Sequence, residues 1–179
     1  FDAGDNTIAG NVVGYGATSG ELFISGKVGE RFAVRNSGAT LVVEGAGDHA
    51  LEYMTGGEVV ILGSAGRNIG AGMSGGVAYL IDLDRSLMNA QSEPTLSFTG
   101  LSDADEARVK ELLERHVELT GSKLAASLLN DLPAAFTRFT RIEPIQYAKV
   151  MQILAEADVA GTPREDADLW RTIVEVSNG

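Results

Sequence analysis

The pattern of apolar and polar positions between residues 11 and 82 repeats itself. A hydroxyl residue followed by glycine recurs every 18 or 19 residues, and a short apolar run comes after each pair. A second set of glycines lies eight residues before three of these hydroxyl residues. Self-similarity at a fixed period of about 20 residues indicates a stacked array of structural repeats. The hydroxyl residues are Ser19, Ser37, Thr55 and Ser74, and the second glycines are Gly29, Gly47 and Gly66.

The repeat unit predicts strands and turns. Its apolar runs are short, rich in β-branched residues and bounded by glycine, as strands are. We therefore predict a mainly β fold, a parallel β-helix or solenoid in which each turn buries its core only by stacking on its neighbours. A β-sandwich is less favoured because it requires no constant period. The predicted turns place Leu41, Val59 and Ala78 in one column and Val43, Ile61 and Leu80 in another.

The pattern changes after residue 83, so we divide the chain into a glycine-repeat β-helix, residues 1–83, and a connector with a helical tail, residues 84–179. Ser102 is a predicted N-cap and Gly121 a predicted helix end. We expect a second helix that reaches Pro133, a strand near residues 136–142, a helix after Pro144 and a last short helix around Trp170. This tail is predicted to cover the solenoid's flank and edge, or to dock on a neighbouring domain.

Composition narrows the range of partners and locations. The formal net charge of −11 argues against nucleic acid and anionic membrane surfaces as partners. No apolar run approaches the length of a membrane span. The chain has no cysteine, which fits a cytoplasmic protein and removes thiolate nucleophiles and iron–sulfur ligands. The chain opens on Phe1 without an initiator methionine, and we interpret it as a piece of something longer.

Two stretches suggest chemistry that their context does not support. Residues 70–75 spell G-x-G-x-x-G, but a strand-like run follows where a dinucleotide site needs a helix. Asp48, His49 and Glu52 are metal-ligand residue types, yet residues 48 and 52 would share a face only on a helix, and no helix is expected there. We predict no catalytic, cofactor-binding or metal-binding residue in this chain.

Four segments, residues 29–39, 42–48, 52–57 and 70–79, resemble the carboxy-terminal glycine-repeat (GXGXG) domain of the large (alpha) subunit of glutamate synthase. Residues 139–144 resemble the same family more weakly. The resemblance implies a right-handed β-helix. It also implies a parent oxidoreductase that converts glutamine, 2-oxoglutarate and reductant into two glutamates, in the ammonia assimilation of nitrogen metabolism.

The resemblance further implies which domains of the parent enzyme hold its cofactors. Flavin mononucleotide (FMN) and an iron–sulfur cluster belong to other domains, and NADPH or ferredoxin supplies the electrons. This domain is then a non-catalytic scaffold that holds the amidotransferase and FMN synthase modules in register. Its implied partners are the other domains of the large subunit and, as a further candidate, the small subunit.

Two other function classes compete with this interpretation. One is the structural glycine-repeat subunit of a formylmethanofuran-dehydrogenase-type complex, which the similarity in the tail disfavours. The other is a free-standing carbohydrate-active β-helix, for which the sequence offers neither a constellation of carboxylates nor a row of aromatic residues.

A charge-rich segment in the second turn is the candidate domain interface. It contains Arg31, Arg35 and Asn36 in an otherwise acidic chain. Arginine is favoured both at interfaces and in internal ion pairs. The alternative is therefore that these arginines pair with Glu30 or Glu52 on the same or an adjacent turn.

Overall fold

The computed structural model describes residues 6–178, which form seven strands, five α-helices and two short 3₁₀ segments. The strands are Thr7–Ala9 (β1), Glu21–Val28 (β2), Ser37–Gly45 (β3), Thr55–Ile61 (β4), Gly75–Ile81 (β5), Leu96–Thr99 (β6) and Phe139–Pro144 (β7). The α-helices are Asp103–Thr120 (α1), Lys123–Leu129 (α2), Leu132–Phe136 (α3), Ile145–Ala160 (α4) and Ala167–Asn178 (α5), and the 3₁₀ segments are Arg85–Leu87 and Glu93–Thr95.

The first five strands are stacked in parallel, one from each successive turn of a β-solenoid. Leu41 pairs with Val59, and Val59 pairs with Ala78. The second predicted column, which contains Ile61, is also present. Both columns, and the mainly β solenoid with a helical appendage that was predicted from the repeat, are confirmed.

Glycine recurs in the repeat because the backbones of successive turns touch. A Cβ atom on Gly56 would lie 2.4 Å from the carbonyl oxygen of Ser37, in the turn before. A Cβ atom on Gly47 would lie 2.9 Å from the carbonyl carbon of Gly29. Real Cβ contacts are not this short, so each site excludes every residue with a side chain. The two glycine sets of the repeat thus mark two lines along which successive turns come into close contact.

Strands β3 to β5 are buried on both faces, as is usual for parallel sheets, whereas β1 is mostly exposed. Leu41 and Ile61 face the interior of the solenoid, where they pack with Phe32 and Leu51 from the turns. Val42 and Val60 face outward and pack against α1 and α2. This two-sided burial explains why each strand reads as a continuous apolar run rather than as an alternating one.

Helix α1 begins and ends where its sequence signals predicted. The Ser102 hydroxyl accepts from the Asp105 N–H, and the Asp105 carboxylate accepts from the Ser102 N–H at 2.9 Å. Gly121 ends the helix in the left-handed conformation, with φ of 68°. Arg108 donates from Nη2 to Glu58 Oε2 at 2.9 Å, which ties the helix to β4.

The tail pairs with the last turn of the solenoid. Strand β7 runs antiparallel to β5, with Ala78 opposite Ile142, and β6 pairs with the far side of β7. The exposed backbone edge that a solenoid would otherwise present after β5 is therefore covered.

The tail also differs from its predicted outline. The single helix expected up to Pro133 is two helices, because Asp131 caps a new helix by accepting from the Ala134 N–H and Pro133 occupies its first turn. The predicted connector contains strand β6 as well.

Helices α4 and α5 form a hairpin with its own small apolar cluster, which contains Ala157, Leu169 and Ile173. None of the helices within residues 6–178 is long and apolar enough to cross a membrane.

We expect Ile61→Ala to lower the free energy of unfolding by about 1–4 kcal/mol, because the side chain is fully buried in the solenoid core. Val159→Ala is the matched control: Val159 on α4 is 91% exposed, so its truncation should change stability by less than about 0.5 kcal/mol. Urea unfolding of the two variants measures both values. Equal effects would contradict the assignment of the core.

Candidate domain interface

The two candidate arginines lie on the surface, in the turn between β2 and β3. Both side chains are exposed, and neither makes an ion pair with another residue of the described range 6–178. Of the two acids proposed as internal partners, Glu52 instead lies near His49, with 3.8 Å between Oε1 and Nδ1. Within the described chain, therefore, the charges of Arg31 and Arg35 face solvent.

Asn36, unlike the two arginines, does not lie on the surface. Its side chain is fully buried and satisfied inside the turn. The amide oxygen accepts from the Ala39 N–H at 2.9 Å and from the Gly38 N–H at 3.2 Å, and the amide nitrogen donates to the Ala39 carbonyl at 2.9 Å. Asn36 thus sets the path of the chain into β3 and does not contribute to an exposed surface.

The backbone that carries the arginines is unusual. Arg31, Ala33 and Arg35 have φ of 62°, 58° and 56°, in the left-handed region. The third turn repeats the pattern at His49, Leu51 and Tyr53. A residue with a side chain costs roughly 1–2 kcal/mol in this conformation relative to glycine.

The fourth turn shows what this backbone prefers. Asn68, Gly70 and Gly72 occupy the same alternate left-handed positions, so glycine fills two of the three. The G-x-G that resembled a dinucleotide fingerprint therefore occupies two left-handed positions of the turn, where glycine costs least. The repeat aligns residues 31, 33 and 35 with residues 68, 70 and 72. The glycines at positions 70 and 72 were therefore a sign, in the sequence alone, that the aligned residues of the second turn have a left-handed backbone. We did not predict that backbone.

Hydrogen bonds between turns hold the strained segment in place. The Arg31 N–H donates to the Asp48 carbonyl at 2.8 Å, and the Arg35 N–H donates to the Glu52 carbonyl at 2.9 Å, both in the following turn. The Ala33 N–H donates to the Val13 carbonyl of the preceding turn at 2.9 Å. Neighbours on both sides thus fix the direction of both arginines, which is the condition under which backbone strain persists.

Exposed tyrosines lie in the turns before and after the turn that carries the arginines. Tyr15 and Tyr53 are 54% and 53% exposed, and they belong to the corresponding segments of the first and third turns. The Tyr53 ring lies against the next turn, with Cδ1 2.6 Å from where a Cβ atom of Gly72 would be, so the glycine makes room for it. We call Tyr15, Arg31, Arg35 and Tyr53 the arginine–tyrosine face. Tyrosine and arginine are the residue types enriched in protein interfaces.

Two other polar side chains of these turns, Asn11 and Asp48, have structural partners. Asp48 Oδ1 accepts from the Arg67 N–H at 2.8 Å, and Asn11 Oδ1 accepts from the Glu30 N–H at the same distance. Each side chain thus joins its own turn to the next one. Among the residues that the structure describes, no group of three His, Cys, Asp or Glu side chains could hold a metal ion.

A buried polar cluster joins the solenoid to the helices, and the sequence analysis missed it. Glu44 on β3 is 3% exposed and accepts through Oε1 from the hydroxyls of Ser25, at 2.9 Å, and Ser122. The fully buried His116 of α1 has its Nε2 3.7 Å from the same oxygen, too far for a hydrogen bond. The sequence does contain one sign of this cluster, because Glu44 stands at a strand position that Leu62 occupies in the next turn.

Burial lowers the pKa of His116, and the nearby Glu44 carboxylate opposes this shift in part. The neutral imidazole is therefore the form that the fold favours. The Glu44 carboxylate under the helices is thus satisfied by hydroxyl donors and not by a paired cation. Burying a carboxylate without a paired cation is costly in free energy.

The stacked glycine turns and their exposed face define a structural repeat domain of the β-solenoid class. The chain belongs to the GXGXG motif family, whose model matches residues 1–145. It is 49% identical over 153 residues to glutamate synthase (NADH) of Schizosaccharomyces pombe, which is 85% of this chain and 7% of that protein.

Two further relatives give the same result. The glutamate synthase (NADPH) large chain of Bacillus subtilis is 46% identical over 168 residues, which is 93% of this chain and 11% of the relative. The chloroplastic ferredoxin-dependent glutamate synthase of Spinacia oleracea is 48% identical over 145 residues, which is 80% of this chain and 9% of the relative. The resemblance to glutamate synthase is confirmed, and the chain spans about a tenth or less of the length of these relatives.

We expect His116 to make the fold less stable in acid. Because its pKa is lower in the folded than in the unfolded chain, its contribution is complete above the unfolded pKa of about 6.5 and is lost as the pH falls below that value. His116→Leu should therefore lose less unfolding free energy than the wild type between about pH 7 and about pH 5.

A buried neighbour on the same helix that carries no ionisable group provides the control. Leu112 is fully buried, so Leu112→Ala should lower stability but keep the wild-type pH dependence. Urea unfolding at the two pH values measures all three proteins. If His116→Leu and the wild type have the same pH dependence, the assigned direction of the pKa shift is refuted.

Proposed function

We propose that this chain is a structural domain of a glutamate synthase and that it holds the catalytic modules of that enzyme in register without catalysing a step itself. The observation that carries the proposal is the arginine–tyrosine face, two exposed arginines and two exposed tyrosines on rigid, stacked turns. Its context is the similarity to segments of glutamate synthases that are some ten times longer than this chain.

The strained backbone supports an interface role for the arginines. Glycine would adopt the conformation of residues 31 and 35 at lower cost, and no partner within residues 6–178 compensates for the arginine side chains. Unfavourable backbone conformations of this kind concentrate at functional sites. In the proposed assembly, carboxylates of another domain pair with the two guanidinium groups, and the tyrosines supply the contact area between them.

The chemistry of the parent enzyme would then belong to other parts of the protein. This chain has no cysteine, so it cannot supply thiolate ligands to the iron–sulfur cluster that the resemblance implies. FMN is likewise proposed to bind elsewhere. The relatives are named for NADH, NADPH or ferredoxin, and we propose NADPH or ferredoxin as the electron donor of the parent enzyme.

The partners in this proposal are the other domains of the large subunit, with the small subunit as a further candidate. The parent reaction is the conversion of glutamine and 2-oxoglutarate into two glutamates at the expense of the reductant. We propose a cytoplasmic location, as we expected from the sequence. The Spinacia oleracea relative is named as chloroplastic, and that name applies to that protein.

The arginine–tyrosine face can be tested with Arg31→Ala in two settings. In the isolated 179-residue chain, the melting temperature should hardly change, because the side chain is exposed and unpaired within residues 6–178. In a full-length glutamate synthase that contains this segment, the variant should hydrolyse glutamine while it forms fewer glutamates per glutamine consumed. The reason is that misplaced modules would lose the transferred nitrogen to solvent.

Arg171→Ala is the matched control for this test. Its side chain is 69% exposed on α5, beyond the part that the family model matches. The control should leave the ratio of glutamate formed to glutamine consumed unchanged. A clear loss of stability in the isolated Arg31→Ala chain, or full coupling in the variant enzyme, would contradict the proposal.

A further inference from the structure

A cavity of about 500 Å³ lies at the carboxyl ends of strands β2 to β5. It is bounded by the residues that follow these strands and by α2, which contributes Leu124. Leu62 and Leu124 give it an apolar wall. A cavity of this size and lining is typical of sites for small molecules.

Lys27 brings a cation to this cavity. It lies at the end of β2, is half-buried, and its stem crosses the neighbouring strand at Gly45, where a Cβ atom would lie 2.9 Å from Lys27 Cγ. The glycine therefore makes room for the lysine. Within residues 6–178, the Lys27 ammonium group has neither an ion pair nor a hydrogen bond. The ammonium group is therefore available to an acceptor that enters the cavity.

Glu44 brings an anion to the same cavity. Its Oε1 accepts from the two serine hydroxyls of the buried cluster, whereas its Oε2 has no hydrogen-bond donor in the described part of the chain. The neighbouring His116 imidazole is kept neutral by burial and lies 3.7 Å away. The carboxylate, almost fully buried, thus retains one oxygen for a donor that enters from the cavity.

The other charged groups of the cavity wall are already satisfied. Arg138 donates from Nε to Asp82 Oδ1 at 3.0 Å, and Asp84 accepts from the Ser86 N–H at 2.9 Å. No ion pair joins Lys27 to Glu44 within residues 6–178. Besides the exposed carboxylate of Asp84, which the Ser86 hydrogen bond does not neutralise, the cavity therefore presents one positive group, Lys27, and one nearly buried negative group, Glu44, beside an apolar wall.

We propose that this cavity binds a small aliphatic zwitterion of the α-amino acid class, with its ammonium group on Glu44, its carboxylate on Lys27 and its side chain against Leu62 and Leu124. An ammonium group supplies the donor that Glu44 Oε2 lacks, and a carboxylate supplies the acceptor that Lys27 lacks. A ligand with a single charge would leave one of the two groups unsatisfied. This inference goes beyond the proposed scaffold role and does not depend on it.

The test uses the ¹⁵N-labelled 179-residue chain and the standard α-amino acids, each added at millimolar concentration. We expect at least one aliphatic amino acid to raise the melting temperature by preferential binding to the folded state and to shift the amide signals of residues 63–65 and 82–83. The deaminated acid and the decarboxylated amine of the same carbon skeleton should each bind about tenfold or more weakly, because each leaves one charge unpaired.

Two variants and a control complete the experiment. Lys27→Met and Glu44→Gln should each weaken binding by about tenfold or more, whereas Lys123→Met, at an exposed lysine of α2, should bind like the wild type. Lys27→Met decides the outcome if Glu44→Gln does not fold. The proposal is overturned if no amino acid binds, if the shifted signals lie elsewhere, if Lys27→Met binds normally, or if a single-charge analogue binds as well as the zwitterion.

Discussion

The structure depends on the direct contact of main chain with main chain between successive turns. At Gly56 the space for a Cβ atom is taken by the Ser37 carbonyl oxygen, and at Gly75 by the Thr55 carbonyl oxygen. This contact brings the strands into parallel register, and the register aligns the apolar columns that form the interior core. Burial then follows from the stacking, since a single turn has too little apolar surface to fold alone.

The same stacking determines what the turns can display. Hydrogen bonds from both neighbours hold alternate residues in the left-handed region, so a side chain placed there is fixed in direction at the cost of strain. The fourth turn reduces that strain with Gly70 and Gly72 and keeps it only at Asn68, whereas the second accepts it at all three positions, two of which are Arg31 and Arg35. A rigid row of turns that displays a few fixed side chains suits a part that positions larger modules, which is the role we propose.

The sequence predicted the features that repeat or that have local signals, and it did not predict those that depend on distant contacts. The columns through Val59 and Ile61 followed from the period, and the limits of α1 followed from Ser102 and Gly121. We predicted Asn36 to lie on a surface because it adjoins Arg35. Its amide instead forms hydrogen bonds with the backbone of its own turn. The cluster around Glu44 escaped prediction because Ser122 and His116 reach it from helices far along the chain, and no local pattern reports such an encounter.

The unfolding free energy of Gly56→Ala compared with Gly100→Ala tests the central claim most directly. An added methyl group at position 56 would collide with the Ser37 carbonyl, whereas nothing lies within 4 Å of the Cβ position at Gly100, which is exposed. The account predicts that Gly56→Ala loses about 1–3 kcal/mol or more, and that Gly100→Ala stays within about 0.5 kcal/mol of the wild type. Equal stability of the two variants would show that the turns do not depend on main-chain contact, and would contradict the account.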